Sequence, residues 1–207
     1  MGAVHRYSIM GAGMRRLGTT LAALMLAGAG IAGAAGTAQA DTDASAVCET
    51  GWGSLEKHVW TGGEDGGSYK PPLVDIRTGQ HECFDRMVLD FKGTAAGPID
   101  YQVKYVDKLV TPASGEIPVE GGAILQIAVG PNYDPSTGSQ SYPGQHGQPL
   151  PGVDITGYKT FKDTRYAAAL ENDVRIGVGV RARLPFRVTQ LDDRLVIDVA
   201  HSWNATS

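Results

Sequence analysis

The densest group of reactive side chains lies in the run RTGQHECFDRMVLDF, Arg77 to Phe91, where His81, Glu82, Cys83, Asp85 and Arg86 fall within six positions. Three chemistries could use them. A thiol nucleophile needs a base that lowers its pKa and an electropositive surrounding. His81 is near enough in sequence, but Glu82 and Asp85 flank Cys83 and oppose thiolate formation. A structural zinc site needs four ligands at spacings such as C-x2-C, and the other histidines after residue 41, His58, His146 and His201, are scattered. A disulfide needs only a second cysteine and an oxidising compartment. The chain has two cysteines, Cys48 and Cys83, and the pattern favours their pairing. Closing a loop of about 35 residues stabilises by roughly 3–4 kcal/mol through the entropy of the unfolded chain.

The remaining candidates point to binding rather than catalysis. Trp52 and Trp60 offer flat faces suited to stacking on sugar rings, or to capping a core beside the disulfide. Tyr133, Tyr142 and His146 sit on a proline-rich stretch, residues 131–152, that is poor in aliphatic side chains. A loop of that length in a compact domain is usually functional or disordered. Arg86 is expected to meet Asp90 or an acid on a neighbouring strand, and Arg194 and Asp198 to bridge to adjacent strands. The motifs G-x-S-x-G, H-E-x-x-H and Walker A are absent from the sequence. A hydrolase would have to bring together scattered acids such as Asp75, Glu82 or Asp85 with split pKa values. The expectation is therefore no catalytic residue, no metal and no cofactor.

The elements that must position these residues read as β. Alternating apolar positions occur at Met87, Leu89 and Phe91; at Tyr101, Val103 and Tyr105; and at Leu125, Ile127 and Val129. They recur at Val174, Ile176, Val178 and Val180, at Phe186 and Val188, and at Leu195, Ile197 and Val199. A period of two buries one face of a strand and wets the other. The turn signals GTAAGP, TPASGE and LDDR punctuate these runs. Leu184–Gln190 and Leu195–Ala200 read as a hairpin, with Val174–Arg181 pairing beside it. Arg165–Glu171, RYAAALE, has helix propensity but equally reads as a strand edge. The predicted fold is an all-β antiparallel sandwich with at most one short helix.

The first forty residues read as an export signal. Arg6, Arg15 and Arg16 precede an Ala/Gly-rich apolar run and the cleavage-like Ala38-Gln39-Ala40. The run is too poor in large apolar residues to serve as a stable membrane anchor. Arg15-Arg16 leaves twin-arginine export open beside the general route. Cutting after Ala40 leaves 167 of 207 residues, enough for one core. It also removes three arginines and no acid, which takes the net charge from −4 to −7. Such a chain is a poor nucleic-acid ligand. Residues 41–47 read as a flexible tail, and residues 48–203 as the folded domain.

The ordered series of Cys48, GWGS (Gly51 to Ser54), VDIRTGQHECFDRMVLDF, YQVKYV and PFRVTQLDDRLVIDVAH resembles the AMIN-like domain of secreted bacterial proteins. The closing RLVID, Arg194 to Asp198, is similar to the last strand of AMIN domains proper. That resemblance implies a non-catalytic β-sandwich that localises to the cell envelope, with peptidoglycan or a wall-associated protein as its partner. The alternative is a secreted module that takes a small apolar ligand or a protein partner.

Overall fold

The computed structural model describes residue 48 and residues 51–60, 71–93, 97–111, 115–170 and 173–203. Residues 1–40, read above as an export signal, residues 41–47, read as a tail, and the glycine-rich stretch at 61–69 lie outside the described residues. All described residues belong to one compact unit, Ala44–Ser207.

Eleven strands form: β1 (Lys57–Val59), β2 (Leu73–Gln80), β3 (Phe84–Phe91), β4 (Tyr101–Val106), β5 (Leu109–Thr111), β6 (Gly115–Ile117), β7 (Ala123–Val129), β8 (Phe161–Leu170), β9 (Asp173–Val180), β10 (Phe186–Leu191) and β11 (Arg194–Ala200). One sheet has the order β1-β4-β7-β9-β8 and a second has β10-β11-β3-β2, while β5 and β6 form a separate hairpin. All pairings of the named strands are antiparallel. The described residues contain no helix. The all-β reading therefore holds.

The inward faces follow the alternation. Met87, Leu89 and Phe91 of β3 join Val103, Leu125, Ile127, Val129, Ile176, Val178, Phe186, Leu195, Ile197 and Val199 in one core cluster. Side chains from both sheets interdigitate there, which is the source of hydrophobic stability in a sandwich. The predicted hairpin forms as β10–β11, with Leu191 opposite Arg194. Its two-residue turn puts Asp192 at φ 50, a left-handed conformation that Asp tolerates better than most residues.

One open reading is resolved and one expectation is corrected. Arg165–Leu170 is strand, the second half of β8, paired along β9. Its register shifts between Phe161 and Asp163 and between Tyr166 and Ala169, so simple alternation fails and the helix-forming Ala run misleads. Val174–Val180 does not lie beside β10 and β11 but pairs with β7 and β8 in the other sheet. Alternation identifies a half-buried strand and does not name its neighbour.

The 131–152 loop is built into the fold. Tyr142 and Leu150 are core residues. Asn132 donates to the Tyr142 carbonyl at 2.8 Å and to the Tyr166 hydroxyl at 2.7 Å, and its own carbonyl accepts from Tyr142 N at 2.5 Å. At the loop base Lys92 pairs with Asp134. This contact, with the bonds from Ser136, holds the Asp134 carboxyl down at about 2.

Candidate functional site

The cysteines form a disulfide, Cys48–Cys83, with Cα atoms 5.3 Å apart, inside the usual range for a bridge. Cys83 is therefore not available as a nucleophile or a ligand. The side chains around it are used to close one end of the sandwich. His81 stacks on Phe84 with centroids 4.4 Å apart. Asp85 faces inward and is fully buried. Its carboxylate accepts from Thr160 N at 2.5 Å and Phe161 N at 3.1 Å. His201 reaches it through Nε2 at 3.0 Å and the Glu82 carbonyl through Nδ1 at 3.0 Å. A buried carboxylate is tolerable only with such partners. Asp75 lies exposed on β2, Asp85 is inside the sandwich, and Glu82 is exposed on the turn between them. These three acids do not share one environment.

The outward face of the four-stranded sheet carries a different pattern. Strand register places Arg187, Asp198 and Arg86 in one row, Thr189, Val196, Val88 and Arg77 in the next, and Leu191, Arg194, Asp90 and Asp75 in the third. Arg86 grips Asp198 through Nε at 2.6 Å and Nη2 at 2.9 Å, and Arg187 reaches the same carboxylate at 2.8 Å. Arg77 grips Asp90 at 2.7 and 2.9 Å, with Arg194 at 3.6 Å from the same group. These hydrogen bonds hold the Arg77 and Arg86 guanidiniums above their ordinary pKa. The expected cross-strand bridges of Arg86, Arg194 and Asp198 are thus present. The contribution of Arg77 and Arg187 was missed. Its signal was Arg and Asp recurring on the outward face, four apart on β3 (Arg86, Asp90) and β11 (Arg194, Asp198) and two apart on β2 (Asp75, Arg77).

Arg77, Arg86 and Arg194 rim a shallow depression of about 310 Å³, floored by Val88 and Val196 and bounded by Leu191. Each guanidinium has five N–H donors, and Asp90 and Asp198 take two each from Arg77 and Arg86. Four arginines on this face stand against Asp75, Asp90 and Asp198, with Asp193 on the adjoining turn 3.5 Å from Arg194, in a chain that is acidic as a whole. Fixed guanidinium forks over an apolar floor suit a ligand with a carboxylate and small apolar groups.

The residues expected to bind are not gathered at one point. Trp52 is half-buried, edge-on to Phe84 at 5.7 Å, with the Arg187 guanidinium 4.4 Å above its ring. It braces the arginine face beside the disulfide. Trp60 is exposed at the edge of the five-stranded sheet and lines a separate cleft. Tyr133 and His146 are exposed on the long loop. Tyr142 is corrected: only 1% of it is exposed, and its hydroxyl donates to the Pro151 carbonyl at 2.9 Å. It packs as a core residue and offers no surface to a ligand. A wider cleft of about 610 Å³ opens between β5–β6 and the ends of β4 and β7. Its Glu116 is engaged by Lys108 at 2.6 Å. Among the described residues no group of His, Cys, Asp and Glu is arranged to hold a metal ion.

Two antiparallel sheets packed face to face, closed by the β10–β11 hairpin, define a β-sandwich module. Comparison with family models assigns it: the AMIN-like domain matches residues 71–201, and the chain belongs to that family. The match begins at Pro71, so Cys48, Trp52, Trp60 and β1 lie ahead of it. No curated protein and no solved structure matches the chain.

Proposed function

We propose that this is a non-catalytic, exported domain that binds a cell-envelope component, with peptidoglycan as the leading ligand. The observation that carries this reading is the arginine-rimmed depression on the four-stranded sheet. Wall peptides present carboxylates next to small apolar side chains, which is the complement of Arg77, Arg86 and Arg194 around Val88 and Val196. A chain this acidic gains nothing from bulk electrostatics with an anionic wall, so binding must come from local, fixed contacts. The disulfide supports an oxidising, extracytoplasmic setting, consistent with the export signal read in the sequence. A protein partner on the wall would use the same face.

Co-sedimentation with purified peptidoglycan tests this. The purified protein is expected in the pellet, and a variant carrying Arg77→Gln, Arg86→Gln and Arg194→Gln in the supernatant. Wild-type protein that stays wholly in the supernatant would overturn the proposal. Removing residues 131–152 is not a usable test, because it would take Tyr142 and Leu150 out of the core.

A further inference from the structure

The five-stranded sheet carries an opening of different chemistry. Across its outer face, Gln102 of β4, Ala128 of β7 and Arg175 of β9 stand in one row. Ala128 in the middle leaves a gap between the two long polar side chains. Adjacent strands are about 4.8 Å apart, so the backbones of Gln102 and Arg175 are about 10 Å apart. Trp60, just after β1, borders this gap with 66% of its surface exposed. Tyr101 and the buried Asp100 complete the lining of a cleft of about 270 Å³.

The lining is fixed and balanced in charge. Gln102 Nε2 donates to Glu56 at 2.8 Å, which sets the orientation of its amide. Burial raises the Tyr101 hydroxyl pKa and keeps it protonated. The lining carries one cationic side chain, Arg175, and one acidic one, Asp100, which is buried. An exposed indole beside a planar amide, a guanidinium and a phenol brings together an apolar side chain and groups that both donate and accept. A pyranose ring has the matching surfaces: a C–H face and a rim of hydroxyls.

We propose that this cleft is a saccharide subsite that takes a neutral pyranose ring of an oligosaccharide against Trp60. The platform lies ahead of the family match, which begins at residue 71. Only Trp60 lies ahead of it; the other lining residues fall within the match. The subsite is on a different sheet from the arginine depression, and its test is separable from that of envelope binding.

The probe is a soluble N-acetylglucosamine tetrasaccharide, titrated into the purified protein and followed by the tryptophan indole NMR signals. The expected result is a saturable shift of the Trp60 indole. Arg175→Gln, followed by the same signal, and Trp60→Ala, followed by titration calorimetry, should each weaken binding about tenfold or more. Trp60 is exposed, so its replacement leaves the fold intact, which the core methyl spectrum checks. Absence of a saturable Trp60 shift up to about 10 mM probe, or binding unchanged in both variants, would overturn the subsite. Peptidoglycan co-sedimentation is run in parallel. Sedimentation without a Trp60 response sinks the subsite and leaves envelope binding standing. A Trp60-dependent response without sedimentation does the reverse.

Discussion

On the five-stranded sheet, Gly177 and Gly179 leave the outer face of β9 bare beyond Arg175, and chain settles onto that stretch of backbone. A methyl group at Gly179 would meet the Glu120 carbonyl at 1.8 Å, and one at Gly177 would meet Leu109 at 2.5 Å. The β5–β6 hairpin seals this patch through a small separate cluster, its Leu109 and Ile117 with Ala167 of β8. On the four-stranded sheet the outer face is studded with arginines, and Asp90 and Asp198 hold them in register. One sheet uses the glycine patch of its outward surface for further folding. The other keeps it for side chains that can meet something else. The difference separates cover from candidate interface, a distinction that burial of the core alone does not make.

The strongest way to break the comparison is Gly179→Ala. The clash is with backbone, and Asp163, which accepts from Glu120 N at 2.9 Å, holds that segment down. A loss of about 3 kcal/mol or more is expected in urea unfolding, and wild-type stability would refute the cover. Next comes alkaline pH, which tests the clasp between the two sheets. Tyr105 of β4 donates to the Leu184 carbonyl at 2.8 Å and accepts from Leu184 N at 3.0 Å, just ahead of β10. Burial pushes its pKa up to about 12. The folded state therefore prefers the protonated phenol. The clasp contributes fully below about pH 10 and is lost as pH rises towards 12, a change on the order of 2–3 kcal/mol. Ultraviolet titration of the tyrosines alongside unfolding curves measures it, and a Tyr105 that ionises near 10 would contradict the clasp.

On the arginine face, Asp198→Ala strips the shared carboxylate from Arg86 and Arg187. It should cost about 2 kcal/mol, because Asp198 is almost fully buried while the two arginines remain partly solvated. Thermal melts with the Arg187→Gln and double variants give the coupling. Additive single losses would mean that the lattice does not act as a unit. Smallest in stability is Arg194→Gln, expected within about 0.5 kcal/mol. If it also leaves peptidoglycan sedimentation unchanged, Arg194 drops out of the proposed surface.

Much of this architecture was legible in the sequence. β3, β4, β7, β10 and β11 alternate cleanly because each has one dry and one wet face, and of the three uses open to Cys83 the flanking acids and the second cysteine favoured the disulfide that forms. β8 was not legible: two register shifts interrupt its period, and Ala167–Ala169 resemble a helix until they are paired with β9. Asp85 stood in an inward position, but its partners, the backbone N–H groups of Thr160 and Phe161, lie 75 and 76 residues away. Tyr142 looked exposed because its loop is polar. Its burial depends on Asn132, ten residues before it, and on Tyr166 across the fold. The Arg–Asp face was only half legible, since each strand shows one row of it and the lattice exists only when four strands are laid side by side.

The bridge from Cys48 to Cys83 also sets how force enters the domain. Traction on the residues ahead of Cys48 passes through the sulfurs to the start of β3, which is hydrogen-bonded to β11 on one edge and β2 on the other. The three-residue edge strand β1 is bypassed. A pull that would otherwise peel that edge away one bond at a time is delivered instead to a strand gripped from both sides. With the bridge reduced, the same pull reaches β1 first, and the domain would yield from its weakest seam.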